Sequence, residues 1–150
     1  MAFILQWNCN GFYRHKEELD LLIRDFNPSC VCLQETHFKI ADKGFLKGFN
    51  VFRFDDTSGQ RAQGGVAIAT REALYTSRVQ LNTPFQAVAV TVHAPEPITL
   101  CNIYFPECAP VTESNLEALV KQIPRPFIIL GDFNAHDPLW GSSNRPVSYT

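Results

Sequence analysis

Apolar and polar positions follow two different rhythms along this chain, and the switches between them mark out its elements. Residues 3–7 form an apolar run with strand character. From Arg14 the period lengthens. Leu19, Leu22, Ile23 and Phe26 fall at i, i+3, i+4 and i+7, one face of an amphipathic helix that Asn27 and Pro28 end. A short β-type run follows at residues 30–34, then a Lys- and Gly-rich loop at 36–48. Strands are predicted at 50–54, 65–70, 85–93 and 98–104, each with β-branched or aromatic content between turn residues. Val88, Val90 and Val92 alternate in the third of these, and Pro95-Glu96-Pro97 turns it into the fourth as a hairpin. Ser114 and Glu117 have the spacing of a capping box. Behind them Leu116, Leu119, Val120 and Ile123 repeat the helical stripe until Pro124 and Pro126 stop it. Residues 127–130 are a fully apolar strand, and the chain reads as loop after Gly131.

No repeat, low-complexity tract or linker divides the sequence, so one domain is expected. Its block of antiparallel-type strands between strand–helix–strand segments predicts an α/β fold with mixed rather than purely parallel sheets.

Composition narrows the class. The chain has 150 residues, 45% hydrophobic and 19% charged, which suits one soluble globular domain with a substantial core. No apolar run reaches transmembrane length. The first residues, MAFILQWNCNG, lack a basic n-region and a long enough apolar stretch for a secretory signal. The expectation is an intracellular protein, nuclear or cytoplasmic, not secreted. There are five cysteines, an odd number with no C-x-x-C pair, which read as small buried hydrophobes in a reducing compartment. A net charge of −2 excludes a strongly basic nucleic-acid clamp. It is compatible with an enzyme that engages phosphate through a bound cation.

Three apolar strands end alike. Ile4 to Trp7 runs into Asn8, Val31 to Gln34 into Glu35, and Ile128 to Gly131 into Asp132, with Asn134 two residues on. Ligand sites in open α/β sheets form beyond the carboxyl ends of strands. If these ends are neighbours, they make a pocket of carboxylates and amides suited to a hard divalent cation that keeps waters and shares phosphate. Taken singly, each has a plainer reading. A carboxylate after a strand is usually a turn or cap residue. Asn8 and Asn10 flank Cys9 before Gly11, where Asn is a common turn former. Tyr104 reads as a core aromatic with a wet hydroxyl, and His136 and Asp137 as solvated loop residues. Gly64-Gly65 reads as a turn or bulge, and Lys39, Lys43 and Lys47 as a solvated face.

The conjunction is more specific than its parts. QWNCNG around Asn8, LQETHFK around Glu35, GGVAI from Gly64, Asn102-Ile103-Tyr104, and GDFNAHDPLWGS from Gly131 occur in order. The chain thereby resembles the endonuclease/exonuclease/phosphatase superfamily. Within it, the chain is similar to the DNA-nicking endonuclease domains of jockey- and R1-type non-LTR retrotransposons. The resemblance implies a four-layer α/β sandwich of two packed mixed sheets flanked by helices, and Mg²⁺-dependent phosphodiester hydrolysis, with Mn²⁺ as a substitute. It implies Glu35 as metal ligand and Asn8 as the amide near the metal, with Asn10 its companion. Asp132 would position or activate the water, Asn134 would contact the scissile phosphate, and the Tyr104 hydroxyl would face it. DNA is the implied partner, with a reverse transcriptase domain downstream in a full-length element and no membrane. Oligomeric state is left open.

The chain also departs from the pattern. The family carries a further Asp and a Ser-Asp-His segment on later strands, and His15, His37, His93 and His136 match neither. Residues 1–143 are therefore expected to be a partial domain incomplete at its C-terminus, and 144–150 a divergent tail, with weak or absent turnover. Two alternatives stand beside this: a phosphatase-branch member acting on inositol phosphate or lipid, and a non-catalytic relic fragment.

Overall fold

A computed structural model describes residues 3–107 and 109–135. Two parallel strand–helix–strand units frame it. In the first, β1 (Ile4–Asn8) crosses through α1 (Lys16–Phe26) to pair in parallel with β2 (Cys30–Gln34). Chain reversal then adds β3 (Phe49–Asp56) and β4 (Gln63–Arg71), giving a four-stranded sheet ordered β1-β2-β4-β3. The second sheet is ordered β5-β6-β7-β8, from β5 (Tyr75–Val79), β6 (Gln86–His93), β7 (Pro97–Tyr104) and β8 (Phe127–Asp132). Here β7 and β8 are the parallel pair, joined through α2 (Glu113–Gln122). The two sheets thus have the same construction: a parallel pair at one edge, antiparallel strands at the other.

Side-chain alternation divides the interior into three apolar zones. Val31 and Leu33 of β2 face α1, where they meet Leu19, Phe12 and Phe38. Cys30 and Cys32 face the other sheet and meet Val66, Ile68, Val88, Val90 and Leu100. Ala87, Ala89, Cys101 and Ile103 point outward against Leu119 of α2 and Ile123, which caps it. Three zones between four layers make the α/β sandwich. Four cysteines, Cys9, Cys30, Cys32 and Cys101, are buried and unpaired. Burial raises the Cys9 and Cys30 thiols to about 11 and Cys101 to about 12, so all three stay protonated at neutral pH. Cys108 lies outside the described residues. No helix among the described residues is long and apolar enough to cross a membrane.

The patterned elements form where the periodicity places them, including the hairpin, whose register pairs His93 with Pro97 and Gln86 with Tyr104. Four details differ. Phe26 is 60% exposed, because α1 ends there and Asn27 turns the chain in a left-handed cap, its N–H on the Ile23 carbonyl. The N-cap of α2 is Thr112, whose hydroxyl accepts the Asn115 N–H at 3.2 Å, so Ser114 and Glu117 lie inside the helix and form no capping box. β5 is an additional edge strand, half-exposed and without apolar alternation. β8 continues past Gly131 to Asp132.

Leu119 is 1% exposed beneath the second sheet, whereas Phe26 faces solvent. Leu119→Ala should therefore lower unfolding free energy by about 2–5 kcal/mol and Phe26→Ala by under about 0.5 kcal/mol, read by urea denaturation.

Candidate active site

Parallel pairing gathers the carboxyl ends of four strands. Asn8 closes β1, Glu35 follows β2, Tyr104 closes β7 and Asp132 closes β8, opposite Tyr104 in register. Packing of the two sheets brings these ends together. The Asn8 amide nitrogen donates to Glu35 Oε1 at 2.9 Å and to Asp132 Oδ2 at 2.8 Å. Both its hydrogens are thereby used, each on a carboxylate from a different sheet. Asn8 Oδ1 accepts the Asn10 backbone N–H at 3.2 Å, which orients the amide. The Tyr104 hydroxyl bonds Glu35 from across the sandwich.

Beyond β8, the Asn134 N–H donates to Asp132 Oδ1 at 3.0 Å, and Asn134 Nδ2 donates to the Phe105 carbonyl at 2.5 Å. The Phe105 N–H in turn reaches the Asp132 carbonyl at 2.9 Å. Gly131 permits this approach. A Cβ there would stand 1.9 Å from the Ile103 carbonyl oxygen, at φ +147°. The glycine lets β8 lie tight against β7 and sets Asp132 beside Tyr104.

Glu35 is held in a conformation that its residue type rarely adopts, φ +51°. Its neighbours impose it. Gly11 N–H donates to the Glu35 carbonyl at 2.8 Å and Phe12 N–H to that of Thr36 at 2.9 Å. On the other side, Thr36 and His37 N–H groups donate to the carbonyls of Gly65 and Gly64. Those glycines, the GGVAI start, are left-handed at φ +87° and +53°. Gln86 of the second sheet fixes them by accepting the Gly65 N–H at 2.7 Å while donating to Asp56 at 3.2 Å. His37 Nε2 stands 3.5 Å from Glu35 Oε2.

Electrostatically the site is acidic. Burial, the Glu35 charge and the bond to Glu35 all push the Tyr104 hydroxyl well above the ordinary tyrosine range, with Asp132 and Glu107 adding to the rise. Among the described residues, no three His, Cys, Asp or Glu cluster as a metal cage. Two half-buried carboxylates on one amide nitrogen are instead a sparse, hard-oxygen donor set. That suits a cation which retains most of its water, rather than zinc or a fully protein-caged calcium.

Of the residues expected from sequence, Asn8, Glu35, Tyr104, Asp132 and Asn134 come together. Asn10 joins them through its backbone, at φ +44°. Lys39, Lys43 and Lys47 are exposed. His136, Asp137 and the rest of the DPLWGS segment lie outside the described residues. Sequence reasoning gave no site role to Gln34, Gln86, Asn102 or His37. Gln34 and Asn102 carried a signal: each is a lone amide inside an otherwise apolar strand, a placement that demands a buried partner.

Two outcomes follow from this geometry. One of the four tyrosines should ionise well above pH 10 in an ultraviolet titration, and that high-pH step should vanish in Tyr104→Phe. Because the folded state holds this proton more tightly, the stabilisation is complete below the unfolded tyrosine pKa and is lost as pH climbs towards the folded one. Gly131→Ala should cost more than about 3 kcal/mol in urea unfolding, since the added methyl meets a backbone oxygen that cannot move aside.

Comparison with known proteins agrees with this architecture. Residues 5–148 match the Endonuclease/Exonuclease/phosphatase family. The probable RNA-directed DNA polymerase from transposon X-element of Drosophila melanogaster is 32% identical over 147 residues, 93% of this chain and 16% of that protein. The RNA-directed DNA polymerase from mobile element jockey of the same species is 23% identical over 139 residues, 91% of this chain and 15% of that protein. Among solved structures, the endonuclease domain of TRAS1, a telomere-specific non-LTR retrotransposon, superposes with a TM-score of 0.70 at 26% identity, covering 97% of this chain and 66% of that one. The chain therefore spans about a sixth of the length of the curated relatives it matches. Strand order, the gathered strand ends and the matched profile lead to one assignment: this chain belongs to the Endonuclease/Exonuclease/phosphatase family.

Proposed function

We propose that this chain is part of a divalent-cation-dependent endonuclease domain that nicks DNA, of the kind found in non-LTR retrotransposons, and that Mg²⁺ is its cation. The observation carrying the proposal is the Asn8 amide shared between Glu35 and Asp132 at 2.9 and 2.8 Å. It keeps two carboxylates from opposite sheets within reach of a single ion and a single phosphate. Similarity to the X-element and jockey proteins and to the TRAS1 endonuclease domain supports DNA as substrate.

In this reading Glu35 holds the cation, and Asn8 keeps Glu35 and Asp132 at a fixed separation beside it. A bound Mg²⁺ would polarise a phosphoryl oxygen and stabilise the leaving oxygen. Asp132 orients and accepts a proton from the attacking water. The Tyr104 hydroxyl, kept protonated by its surroundings, would turn its one proton from Glu35 to the phosphate once a cation takes up the Glu35 carboxylate. Asn134, locked by Phe105 and Asp132, contacts a phosphate oxygen, and Asn10, whose backbone N–H is held by Asn8, contributes to substrate binding beside it. Among the described residues, the histidine beside the carboxylates is His37, which faces Glu35. A phosphoryl oxygen then has the phenol and the amides as its donors, and we propose that turnover by this chain alone is slow. A reverse transcriptase on the same polypeptide, as the names of the relatives suggest, belongs to the same proposal.

Incubation with supercoiled plasmid tests this. Slow conversion to open circles should require Mg²⁺ or Mn²⁺, stop with EDTA, and fall at least about 100-fold in Glu35→Ala and Asp132→Asn. Nicking that is indifferent to cation, or equal in Glu35→Ala, would refute the reading. Release of inorganic phosphate from inositol phosphates without nicking would place the chain in the phosphatase branch instead.

A further inference from the structure

The strands that end in the site carry a second set of polar residues one step below it. Gln6 lies two residues before Asn8 on β1, Gln34 directly before Glu35 on β2, and Asn102 two residues before Tyr104 on β7. These three amides are linked in series. Gln6 Nε2 donates to Gln34 Oε1 at 2.7 Å, and Gln34 Nε2 donates to Asn102 Oδ1 at 2.6 Å. Asn102 Nδ2 then donates to two backbone carbonyls of the opposite sheet, Leu33 at 2.8 Å and Ala67 at 2.9 Å. Gln34 and Asn102 are wholly buried, at 0% exposure, while Gln6 reaches the surface at the β1 edge.

Apolar packing alone leaves two sheets free to slide, since dispersion contacts have little directionality. The Val66–Ile68–Val88–Val90 zone between the sheets is of that kind. Where this zone ends and the site begins, directional bonds replace it. Asn102 is a side chain of one sheet hydrogen-bonded into the backbone of the other, on carbonyls of a register pair, Leu33 and Ala67. Leu33 is two residues from Glu35, and Asn102 is paired with Leu130, two residues from Asp132. A sheet displacement that lengthened the Asn102 bonds would therefore change the separation of Glu35 and Asp132.

We propose that Gln6, Gln34 and Asn102 are positioning residues, an amide layer beneath the site that fixes the spacing between the Asn8–Glu35 ends of one sheet and the Tyr104–Asp132 ends of the other. What that spacing serves rests on the nuclease reading above; the spacing itself does not. Burying two amides is an expensive way to fill a core position, and a pair of leucines would fill it with fewer buried polar groups to satisfy. Geometric specificity at the site is what the amides add.

The test uses the full chain with Asn102→Leu, Gln34→Leu, the double variant, and Gln6→Met at the exposed end. Three quantities are read: urea stability, hydrogen exchange of the Asn8 side-chain amide by ¹⁵N NMR without metal or DNA, and kcat and KM for Mg²⁺-dependent nicking. The buried single variants should lose stability, and the double variant should regain part of it, because neither partner is then left unmet. Stability and site geometry should separate: in the double variant, Asn8 amide protection and kcat should each stay down about 10–100-fold while KM changes by under about threefold. Gln6→Met should move Asn8 exchange in the same direction. Asn8 exchange and kcat at the wild-type level in a folded double variant would overturn the proposal, leaving the amides a purely structural role. If the buried variants do not fold, unchanged Asn8 exchange in Gln6→Met overturns it as well. Absence of nicking in the wild type would defeat the nuclease reading, while the Asn8 exchange would still decide this one.

Discussion

A single amide nitrogen stands between two carboxylates that come from different sheets, and the site depends on that arrangement. Glu35 and Asp132 are both carboxylates, and two such groups brought onto one amide nitrogen repel each other when ionised. The fold has to bear that repulsion or offset it. Asn8 offsets it with two N–H dipoles aimed at the two oxygens, at 2.9 and 2.8 Å. The amide carries no charge of its own, so the pocket remains acidic and open to an external cation. A lysine at position 8 would neutralise the pair more strongly and would occupy the ground where the proposed ion belongs. Tyr104 fits the same logic. Its hydroxyl adds a neutral donor on Glu35, and the negative surroundings keep that proton in place.

The architecture follows from the need to deliver strand ends. Antiparallel neighbours present opposite ends at any one edge, so a sheet built only of hairpins offers alternate strand starts and finishes. A parallel pair presents two carboxyl ends together. Each sheet here has one such pair, β1–β2 and β7–β8, and each is made possible by the helix that covers its outer face. Stacked face to face, the two sheets meet four carboxyl ends at one point. The antiparallel strands are not idle: β4 supplies the Gly64–Gly65 carbonyls that hold the turn after Glu35, and β6 supplies the Gln86 that holds those glycines.

Much of this was legible in the residues, and the limits are physical. Apolar runs ending in Asn8, Glu35 and Asp132 are local facts, and strand ends in an α/β sheet converge for general reasons. Both helices and the β6–β7 hairpin were legible because a buried face imposes a period. β5 was not, because none of its residues Tyr75 to Val79 is buried, so no core face imposes an alternation on them. The cap of α2 was misplaced because Thr112 and Ser114 are both competent caps, and the choice depends on where the loop from β7 delivers the chain. Gln34 and Asn102 are the instructive omission. A sequence shows that each amide is out of place in its strand, but not that the two are each other's answer across 68 residues of chain.

Backbone strain at the site obeys the same distribution of labour. Asn10, Glu35, His37 and Asn134 all have positive φ, between +44° and +55°, and all lie at the strand ends just described. Asn and His tolerate that region well; Glu does not, and a residue so placed costs on the order of 1 kcal/mol or more. Strain of this size persists only where the surroundings leave no alternative. Around Glu35 they leave none: its carbonyl holds Gly11, the next residue is tied to Gly65 and Phe12, and its carboxylate meets Asn8, Tyr104 and His37. Relaxing φ to an extended value would continue β2 and swing the carboxylate off the line between Asn8 and Tyr104. The left-handed turn stops the strand one residue early, and that early stop is what leaves Glu35 facing Asp132 across the gap between the sheets.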